Sequence, residues 1–175
     1  SGAGCGCDAA FYLTSMRQNK LASGCFDHYC DVNGVCGERC AEVDVQNANM
    51  RSWQSGLHAA ADPAGAGGGY GGGSGWDGPR DWGPTEYGPN ATCINTGKPI
   101  NVAVEFPVDG DGVLAAMRLA LSQDGHSCTL SLNLGSYAGM PELSGALEAG
   151  MTPVISYWGG DMLWLDGAGA DRRGP

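Results

Sequence analysis

Eight cysteines in a chain of 175 residues are the feature that most restricts what this sequence can fold into. So many cysteines in so short a chain are typical of proteins that fold in an oxidising compartment, where disulfides persist. A zinc site is the alternative, but the cysteines between residues 25 and 40 are five, six and four residues apart, unlike two C-x-x-C pairs. We therefore expect disulfides, no bound metal and an extracellular location. The cysteines are Cys5, Cys7, Cys25, Cys30, Cys36, Cys40, Cys93 and Cys128.

The charge balance excludes several classes of partner. Nine basic residues against nineteen acidic ones give a formal net charge of −10, so nucleic acid and anionic membrane surfaces would repel the chain. No stretch approaches the ~20 consecutive apolar residues of a membrane span, and no nucleotide or flavin motif is visible. We therefore expect no nucleic-acid partner, no membrane contact and no cofactor.

Hydrophobic periodicity predicts a mostly β protein. Residues 101–106 and 128–134 alternate apolar with polar side chains, which is typical of strands with one buried face. One short helix is predicted over 141–149, where Leu143 and Leu147 lie one turn apart. Further strands are predicted at 11–16, 41–46, 114–119, 152–158 and 162–165.

Residues 61–90 have a different composition, rich in glycine and proline with Trp76, Trp82 and Tyr87 among them. This composition predicts a long loop, and a loop of this length is usually functional or a disordered linker. We favour a surface whose aromatic side chains stack on a ligand; the alternative is that they fix the loop to the core. At its end, Asn90 begins an N-A-T sequence, an acceptor for N-glycosylation.

The predicted strand at 41–46 has a strongly acidic polar face. Because strand side chains alternate, Glu42, Asp44 and Gln46 share one face. The first two have Cα atoms ~6.6 Å apart, so mutual repulsion should raise the pKa of at least one carboxyl unless hydrogen-bond donors compensate. Such a pair suits a nucleophile and its electrostatic helper in glycoside hydrolysis. From the strand alone, a solvated face or a cation site is equally compatible.

Longer motifs around this strand resemble glycoside hydrolase family 7, the fungal-type cellobiohydrolases and endoglucanases. The segment 40–49, C-A-E-V-D-V-Q-N-A-N, is similar to the family's active-site strand C-A-E-M-D-[IV]-W-E-A-N. The segment 4–12, G-C-G-C-D-A-A-F-Y, resembles the family's upstream block G-C-G-L-N-G-A-L-Y. Further blocks resemble the family in the same order, so the similarity runs nearly end to end; they lie at 87–89, 95–99, 150–158 and 162–166.

The resemblance implies a single domain over 1–175, part of a concanavalin-like β-jelly-roll sandwich. Its concave face would hold a β-1,4-glucan chain, which the family cleaves with retention of configuration. The resemblance assigns Glu42 to the nucleophile and Asp44 to the carboxylate that assists it. It assigns contacts with the sugar chain to Tyr12, His58, Trp158 and Trp164.

The sequence departs from the family at the general acid/base, where Asn47 stands. If the strand is bulged, as the family's E-x-D-x-x-E spacing requires, Asn47 faces the substrate, and if it is regular, Gln46 does. Both are amides that cannot donate a proton as a carboxylic acid does, a function typically worth ~10²–10⁴-fold in rate. Asp8 replaces the family's asparagine. An acid from elsewhere, such as Asp81 or Glu86, is one way to restore the chemistry.

Three functions therefore stay open: a retaining β-glucanase, a glycan-binding protein without turnover, and a structural extracellular or cell-wall protein. Members of the family are more than twice as long, so the resemblance leads us to expect that the family's strands before residue 1 and after residue 175 are missing from this chain. Half a sandwich would leave an apolar sheet face open. We expect that face to be covered by a portion outside this sequence, by another chain or by self-assembly.

The resemblance also implies how the cysteines before the acidic strand are paired. Two disulfides would staple that segment, and Cys5 would lack a partner within this chain. A third disulfide is expected further along. The expected pairs are Cys25 with Cys40, Cys30 with Cys36, and Cys93 with Cys128.

Overall fold

The computed structural model describes residues 6–25, 27–70, 80–159 and 165. The predicted strand at 162–165 lies outside these ranges except for its last residue, and Cys5, Trp76 and Trp164 lie outside them entirely. No helix within the described ranges is long and apolar enough to cross a membrane.

In chain order the elements are β1 (Cys7–Thr14), a 3-10 helix (Ser15–Gln18), β2 (Glu42–Ala48), β3 (Trp53–His58), β4 (Ala66–Tyr70), β5 (Tyr87–Gly88), β6 (Ile94–Asn95), β7 (Asn101–Glu105), β8 (Ala116–Ser122), β9 (Thr129–Gly135), α1 (Met140–Ala149) and β10 (Thr152–Gly159).

Two antiparallel sheets make up most of the described structure. One has five strands in the order β10-β1-β2-β3-β4, and the other has three in the order β7-β8-β9. The short strands β5 and β6 pair in parallel. Apolar side chains of β2 and β3 meet those of β8 and β9 in two buried clusters, because each strand turns alternate side chains to the same face. The fold is therefore a β-sandwich.

Helix α1 closes one end of this sandwich. Its Met140 and Leu143 pack with Val43, Leu57 and Met117 in one of the two clusters. Pro141 stands in the first turn, where its missing N–H costs no helical hydrogen bond. The helix predicted over 141–149 is thus confirmed, and so are the strands predicted at 101–106, 128–134 and 152–158.

Three predicted strands are displaced along the chain. The strand predicted at 11–16 ends at Thr14, because the next residues form the 3-10 helix. The strand predicted at 41–46 runs to Ala48. The strand predicted at 114–119 begins only at Ala116, because Leu114 pairs with Val108 in an isolated bridge and the Ala115 N–H donates to the Pro107 carbonyl.

The prediction of one long loop over 61–90 is wrong for residues 66–70, which form the edge strand β4. Its glycines permit close packing on both sides. A Cβ on Gly68 would lie 3.0 Å from Leu134 of the facing sheet, and a Cβ on Gly69 would overlap the Trp53 carbonyl. Gly69 also has φ +137°, a conformation that L residues rarely adopt. Here glycine indicates tight packing rather than a loop.

The predicted stacking surface in this segment is also wrong for Trp82 and Tyr87, whose side chains are buried. Their rings stack with centroids 6.1 Å apart. The indole N–H of Trp82 donates to the Ser131 carbonyl, and the Tyr87 hydroxyl donates to the Asn49 carbonyl. Buried aromatic side chains with satisfied polar atoms belong to the core, so these two fix the segment to the sandwich.

The disulfide pairing expected near the acidic strand is wrong, although all four cysteines form disulfides. The structure joins Cys25 to Cys36 and Cys30 to Cys40, with Cα–Cα distances of 5.3 and 5.6 Å. Backbone hydrogen bonds align these pairs: Gly24 N–H donates to the Cys36 carbonyl, and Cys40 N–H to that of Asp31. The expected Cys93–Cys128 disulfide is present.

One edge of the five-stranded sheet has an open apolar face. Ile155 and Tyr157 of β10 are 84% and 65% exposed. Their partners across the ladder are Phe11 and Ala9 of β1, and Phe11 packs against the core. The face of β10 that points toward the sandwich interior is therefore not covered by the described residues.

Candidate active site

The polar face of the five-stranded sheet borders a cavity of about 710 Å³, within the size range of small-molecule sites. The strands supply side chains from alternate positions, so residues that are far apart in sequence meet there. Six of the site residues predicted from the sequence line this cavity: Tyr12, Glu42, Asp44, Asn47, His58 and Trp158.

A β-bulge in β2 decides which amide faces the cavity. Asp44 pairs with Gly56, but the next pair joins Asn47 to Gln54, so β2 holds one extra residue. A bulge of this kind turns the following side chains to the other face. Asn47 consequently lines the cavity, while the Gln46 amide donates to the Ala9 carbonyl. Of the two alternatives left open by the sequence, the bulged one is correct.

Glu42 is a buried carboxyl at the start of β2. Its Oε2 accepts a hydrogen bond from the Val32 N–H at 3.2 Å. Burial, together with the negative charge of Asp44, raises the pKa of Glu42 to about 8. The backbone donor at Val32 opposes this shift without cancelling it. At neutral pH the Glu42 carboxyl is therefore mostly protonated, and a minor fraction is ionised.

Asp44 contacts a histidine from the neighbouring strand. His58 Nε2 lies 3.2 Å from Asp44 Oδ2, and Gly56 stands between them on β3. A Cβ on Gly56 would lie 2.7 Å from His58 Nε2 and 3.4 Å from Asp44 Oδ2. The absence of a side chain at this position thus leaves room for the contact. We did not predict β3 from the sequence, although Trp53, Ser55 and Leu57 alternate there with polar or small residues.

Tyr29 and Asp31 are among the cavity-lining residues that were not predicted from the sequence. The Tyr29 hydroxyl donates to Asp31 Oδ2 at 3.1 Å and lies 2.9 Å from the Tyr12 hydroxyl. Since its single proton is used on Asp31, Tyr29 accepts from Tyr12. Burial raises the pKa of both tyrosines, so both stay protonated as donors. The Y-C-D sequence around the disulfide-bonded Cys30 was the available signal.

Trp158 and Asp8 face each other across the β1–β10 ladder, and both line the cavity. The indole of Trp158 is 49% exposed, and its N–H donates to Ser156 Oγ at 2.8 Å. A ring held in this way with one face free can stack on an apolar sugar face. Trp164, which the sequence analysis placed in the same site, lies outside the described residues.

The alternative acids considered from the sequence do not reach the cavity. Asp81 Oδ2 accepts a hydrogen bond from the Gly69 N–H, and Glu86 Oε2 accepts one from the Gly83 N–H. Both side chains are exposed, and neither lines the cavity. The hypothesis that either one replaces the missing general acid is therefore wrong. Asn90 is exposed at the surface, with φ 60°.

Sequence comparison identifies relatives among endoglucanases, although no protein-family model matches the chain. Endoglucanase 1 of Pyricularia oryzae is 29% identical over 234 residues, covering 98% of this chain and 54% of the relative. The probable endo-beta-1,4-glucanase celB of Neosartorya fischeri is 28% identical over 217 residues, covering 98% of this chain and 53% of the relative. The chain thus spans about half the length of these relatives.

Solved structures give the same picture of the fold. An endoglucanase I complexed with cellobiose superposes with a TM-score of 0.68 at 16% identity, covering 93% of this chain and 56% of that one. A GH7 family cellobiohydrolase from Daphnia pulex has a TM-score of 0.64 at 18% identity, covering 93% and 56%. These comparisons confirm the predicted partial β-jelly-roll sandwich and the resemblance to glycoside hydrolase family 7. The match extends over about half the length of the related proteins.

Proposed function

We propose that this chain binds a β-1,4-glucan in the cavity and attacks it as a family-7-like retaining hydrolase, with Glu42 as the nucleophile. The observation that carries the proposal is the bulged strand β2, which turns Glu42, Asp44 and position 47 to one cavity. Support for the substrate class comes from the relatives, which are endoglucanases, and from a neighbour bound to cellobiose.

In the first step, the ionised Glu42 carboxylate attacks the anomeric carbon, and the glycosidic bond breaks as an ester forms. The leaving oxygen takes up a proton from solvent, because the Asn47 amide cannot donate one. In the second step, a water molecule attacks the same carbon and loses a proton to solvent, the ester bond breaks, and Glu42 leaves as a carboxylate. Asp44, in contact with His58, stabilises positive charge that develops on the sugar ring. The Tyr12 hydroxyl oxygen lines the same cavity and can accept a hydrogen bond from a sugar hydroxyl.

Labelling with an activated inhibitor tests this role for Glu42. A 2-deoxy-2-fluoro-cellobioside with a dinitrophenolate leaving group needs little protonation, so a nucleophile can react without an acid. We expect the intact mass to rise by one fluorocellobiosyl group, and peptide mapping to locate that group on Glu42. The matched control is Glu42→Gln. Label on another residue, or no label on folded protein, would rule out Glu42 as the nucleophile.

Glycan binding without turnover is the second candidate, because Asn47 puts an amide at the expected general acid/base position. This candidate predicts calorimetric binding of cello-oligosaccharides by a chain that releases no reducing sugar. A labelled Glu42 together with hydrolysis of unactivated glucan would exclude it. A structural extracellular or cell-wall protein on the same scaffold would show neither binding nor labelling.

The remaining proposals concern the setting of the protein. Three disulfides are typical of an oxidising environment, and we propose that the chain is extracellular and N-glycosylated at Asn90. We also propose that further strands complete the sandwich by covering the apolar face at Ile155 and Tyr157, supplied by another stretch of polypeptide or by self-assembly. Exposed apolar patches commonly mark such contacts.

A further inference from the structure

We propose that Thr14 is a positioning residue for the nucleophile, and that its hydroxyl donates a hydrogen bond to the Glu42 carboxylate once that group is ionised. The inference rests on the proposed function, in which Glu42 attacks the sugar. Thr14 does not itself line the cavity, so it would act through Glu42 and not on the substrate. Its place in the sheet, its burial and its hydroxyl without a partner support this role.

Thr14 stands directly beside Glu42 in the five-stranded sheet, because the two residues pair across the β1–β2 ladder. The next pair along the ladder, Leu13 with Val43, packs into the buried cluster between the sheets. Since strand side chains alternate, Thr14 and Glu42 share the opposite, polar face. Directly opposed side chains have Cβ atoms ~4.5–5.5 Å apart. Rotation of the two side chains can therefore bring the hydroxyl and the carboxyl into hydrogen-bond contact.

The Thr14 hydroxyl has no hydrogen-bond partner among the described residues, although Thr14 is completely buried. Thr14 is also the N-cap of the 3-10 helix Ser15–Gln18, a position where a threonine oxygen commonly accepts a hydrogen bond from the helix backbone. It forms no such side-chain bond here. Buried hydroxyls are normally hydrogen-bonded, since an unpaired one loses its contacts with water without replacement. The Thr14 hydroxyl is therefore available to a neighbour that needs a donor in one state of the reaction.

Glu42 needs an additional donor when it loses its proton. In the protonated form, its carboxyl bonds to Asp44, and the Val32 N–H donates to Oε2. Ionisation removes the proton that joins Glu42 to Asp44 and leaves a negative charge in a buried site. The Thr14 hydroxyl can donate to that charge, and hydrogen bonds to ionised groups are roughly twice as strong as those between neutral groups. Thr14 thus favours the ionised form that attacks the sugar.

Titratable side chains face Glu42 from each neighbouring element. Asp44 of the same strand and Asp31 of the disulfide-bonded segment raise the pKa of Glu42 through their negative charges. His58 stands opposite Glu42 on β3 but contacts Asp44. The Tyr12 hydroxyl on β1 bonds to another tyrosine. The donor that we assign on the β1 side is neutral, so it opposes the raised pKa without adding a charge.

The same donor would serve both steps of the proposed reaction. Before the attack, it holds the Glu42 carboxylate in its ionised form. In the second step Glu42 leaves the sugar as a carboxylate, and the hydroxyl stabilises the negative charge as it returns. Thr14 transfers no proton in either step, so the atoms and charges of the reaction balance as before.

The test is the pH profile of Glu42 labelling by the fluorosugar in Thr14→Val, which removes the hydroxyl and keeps the shape of the side chain. We expect the midpoint to rise by about one pH unit, so that labelling at about pH 6 slows about tenfold. Well above both midpoints the two rates should be equal. Thr14→Ser keeps a hydroxyl and should match the wild type. The matched control is Thr152→Val, which removes a hydroxyl from the residue that flanks Thr14 on β10.

A second measurement does not require the reaction. An NMR titration of the Glu42 carboxyl carbon, in protein made with isotopically labelled glutamate, should show the same difference between Thr14→Val and the wild type. The loss of one signal in Glu42→Gln assigns the resonance. If Thr14→Val does not fold, Thr14→Ala also removes the hydroxyl and should raise the midpoint in the same direction.

Equal midpoints for Thr14→Val and the wild type in both measurements would overturn the assignment of Thr14 and leave Glu42 as the nucleophile. So would a labelling rate that falls by the same factor at every pH in Thr14→Val and Thr14→Ser alike, since that result indicates packing alone. If Glu42 is never labelled in the wild type but its titration still shifts in Thr14→Val, the hydrogen bond is supported and the proposed function is refuted.

Discussion

His58 and Asp44 meet at 3.2 Å across a position where a side chain does not fit. Gly56 stands directly opposite Asp44 on the adjacent strand. The contact therefore depends on three residues, of which the glycine is the least obvious from sequence. A side chain at position 56 should therefore disturb the contact between His58 and Asp44 while leaving the hydrophobic core intact.

Gly56→Ala should displace His58 from Asp44, because the new Cβ would lie 2.7 Å from Nε2. A displacement of about 1 Å within a catalytic group can cost ~10²-fold in rate, so labelling of Glu42 should slow by about that factor. The measurement is the rate of mass increase with the fluorosugar. Gly110→Ala is the control, since a Cβ there meets nothing within 4 Å. Equal labelling rates in the two variants would contradict the importance of the contact.

The raised pKa of Glu42 predicts how stability depends on pH. The folded-state pKa is about 8 against an ordinary value of 4.5, so the folded protein holds this proton more tightly than the unfolded chain. Its contribution to stability is complete below about pH 4.5 and is lost as the pH rises through about 8. The melting temperature should therefore fall between about pH 5 and about pH 9, and Glu42→Gln should reduce that fall. A slope unchanged by the substitution would assign the effect to other groups.

The same shift predicts the pH dependence of labelling. Only the ionised carboxylate is a nucleophile, so the labelling rate at low inhibitor concentration should rise with pH toward about 8. Val32 is the one backbone donor to Glu42 in the described contacts, so a Val32→Pro substitution, which removes that N–H, should move the midpoint to higher pH. A rate that already levels off near the ordinary pKa of a glutamate would contradict the burial effect.

Loss of the Cys30–Cys40 disulfide and loss of the Cys93–Cys128 disulfide should affect the cavity differently. Cys30–Cys40 joins the segment that carries Tyr29 and Asp31 to the start of β2, whereas Cys93–Cys128 lies remote from the cavity lining. Replacing either pair with serine should cost ~2–4 kcal/mol of unfolding free energy. Only the loss of Cys30–Cys40 should also slow Glu42 labelling. Non-reducing peptide mapping checks the pairing first, and a Cys25–Cys40 fragment would contradict the structure.

How far the sequence predicts this protein depends on whether the signal is local. Alternation in β9 and the apolar spacing in α1 are properties of short windows, and both elements were predicted. The choice between Gln46 and Asn47 depends on a bulge that pairing with β1 and β3 defines, so no window of β2 could decide it.

The predictions that were wrong concern features that depend on contacts between different parts of the chain. The Cys30–Cys40 disulfide lies beside a backbone hydrogen bond from the Cys40 N–H to the Asp31 carbonyl, which the spacing of the cysteines does not reveal. The glycines of β4 are required by the strand and sheet that pack against them. Trp82 and Tyr87 have the composition of a ligand-stacking loop but lie in the core, because their polar atoms find backbone carbonyls there. Local composition could not distinguish those outcomes.

Two tryptophans provide the last prediction, because one is buried and the other half-exposed. Trp82→Ala should destabilise the fold by ~3–5 kcal/mol, as expected for removing a large buried side chain. Trp158→Ala should leave the unfolding free energy within about 0.5 kcal/mol, as for most surface substitutions. It should weaken cello-oligosaccharide binding by about fivefold to tenfold, the equivalent of ~1 kcal/mol for one aromatic contact.

Calorimetry and denaturant unfolding on both variants separate these effects. If Trp158→Ala lowered stability as much as Trp82→Ala while leaving sugar affinity unchanged, Trp158 would be a structural residue. The cavity would then lack the aromatic surface that we assign to sugar stacking, and the glucan-binding proposal would fail with it.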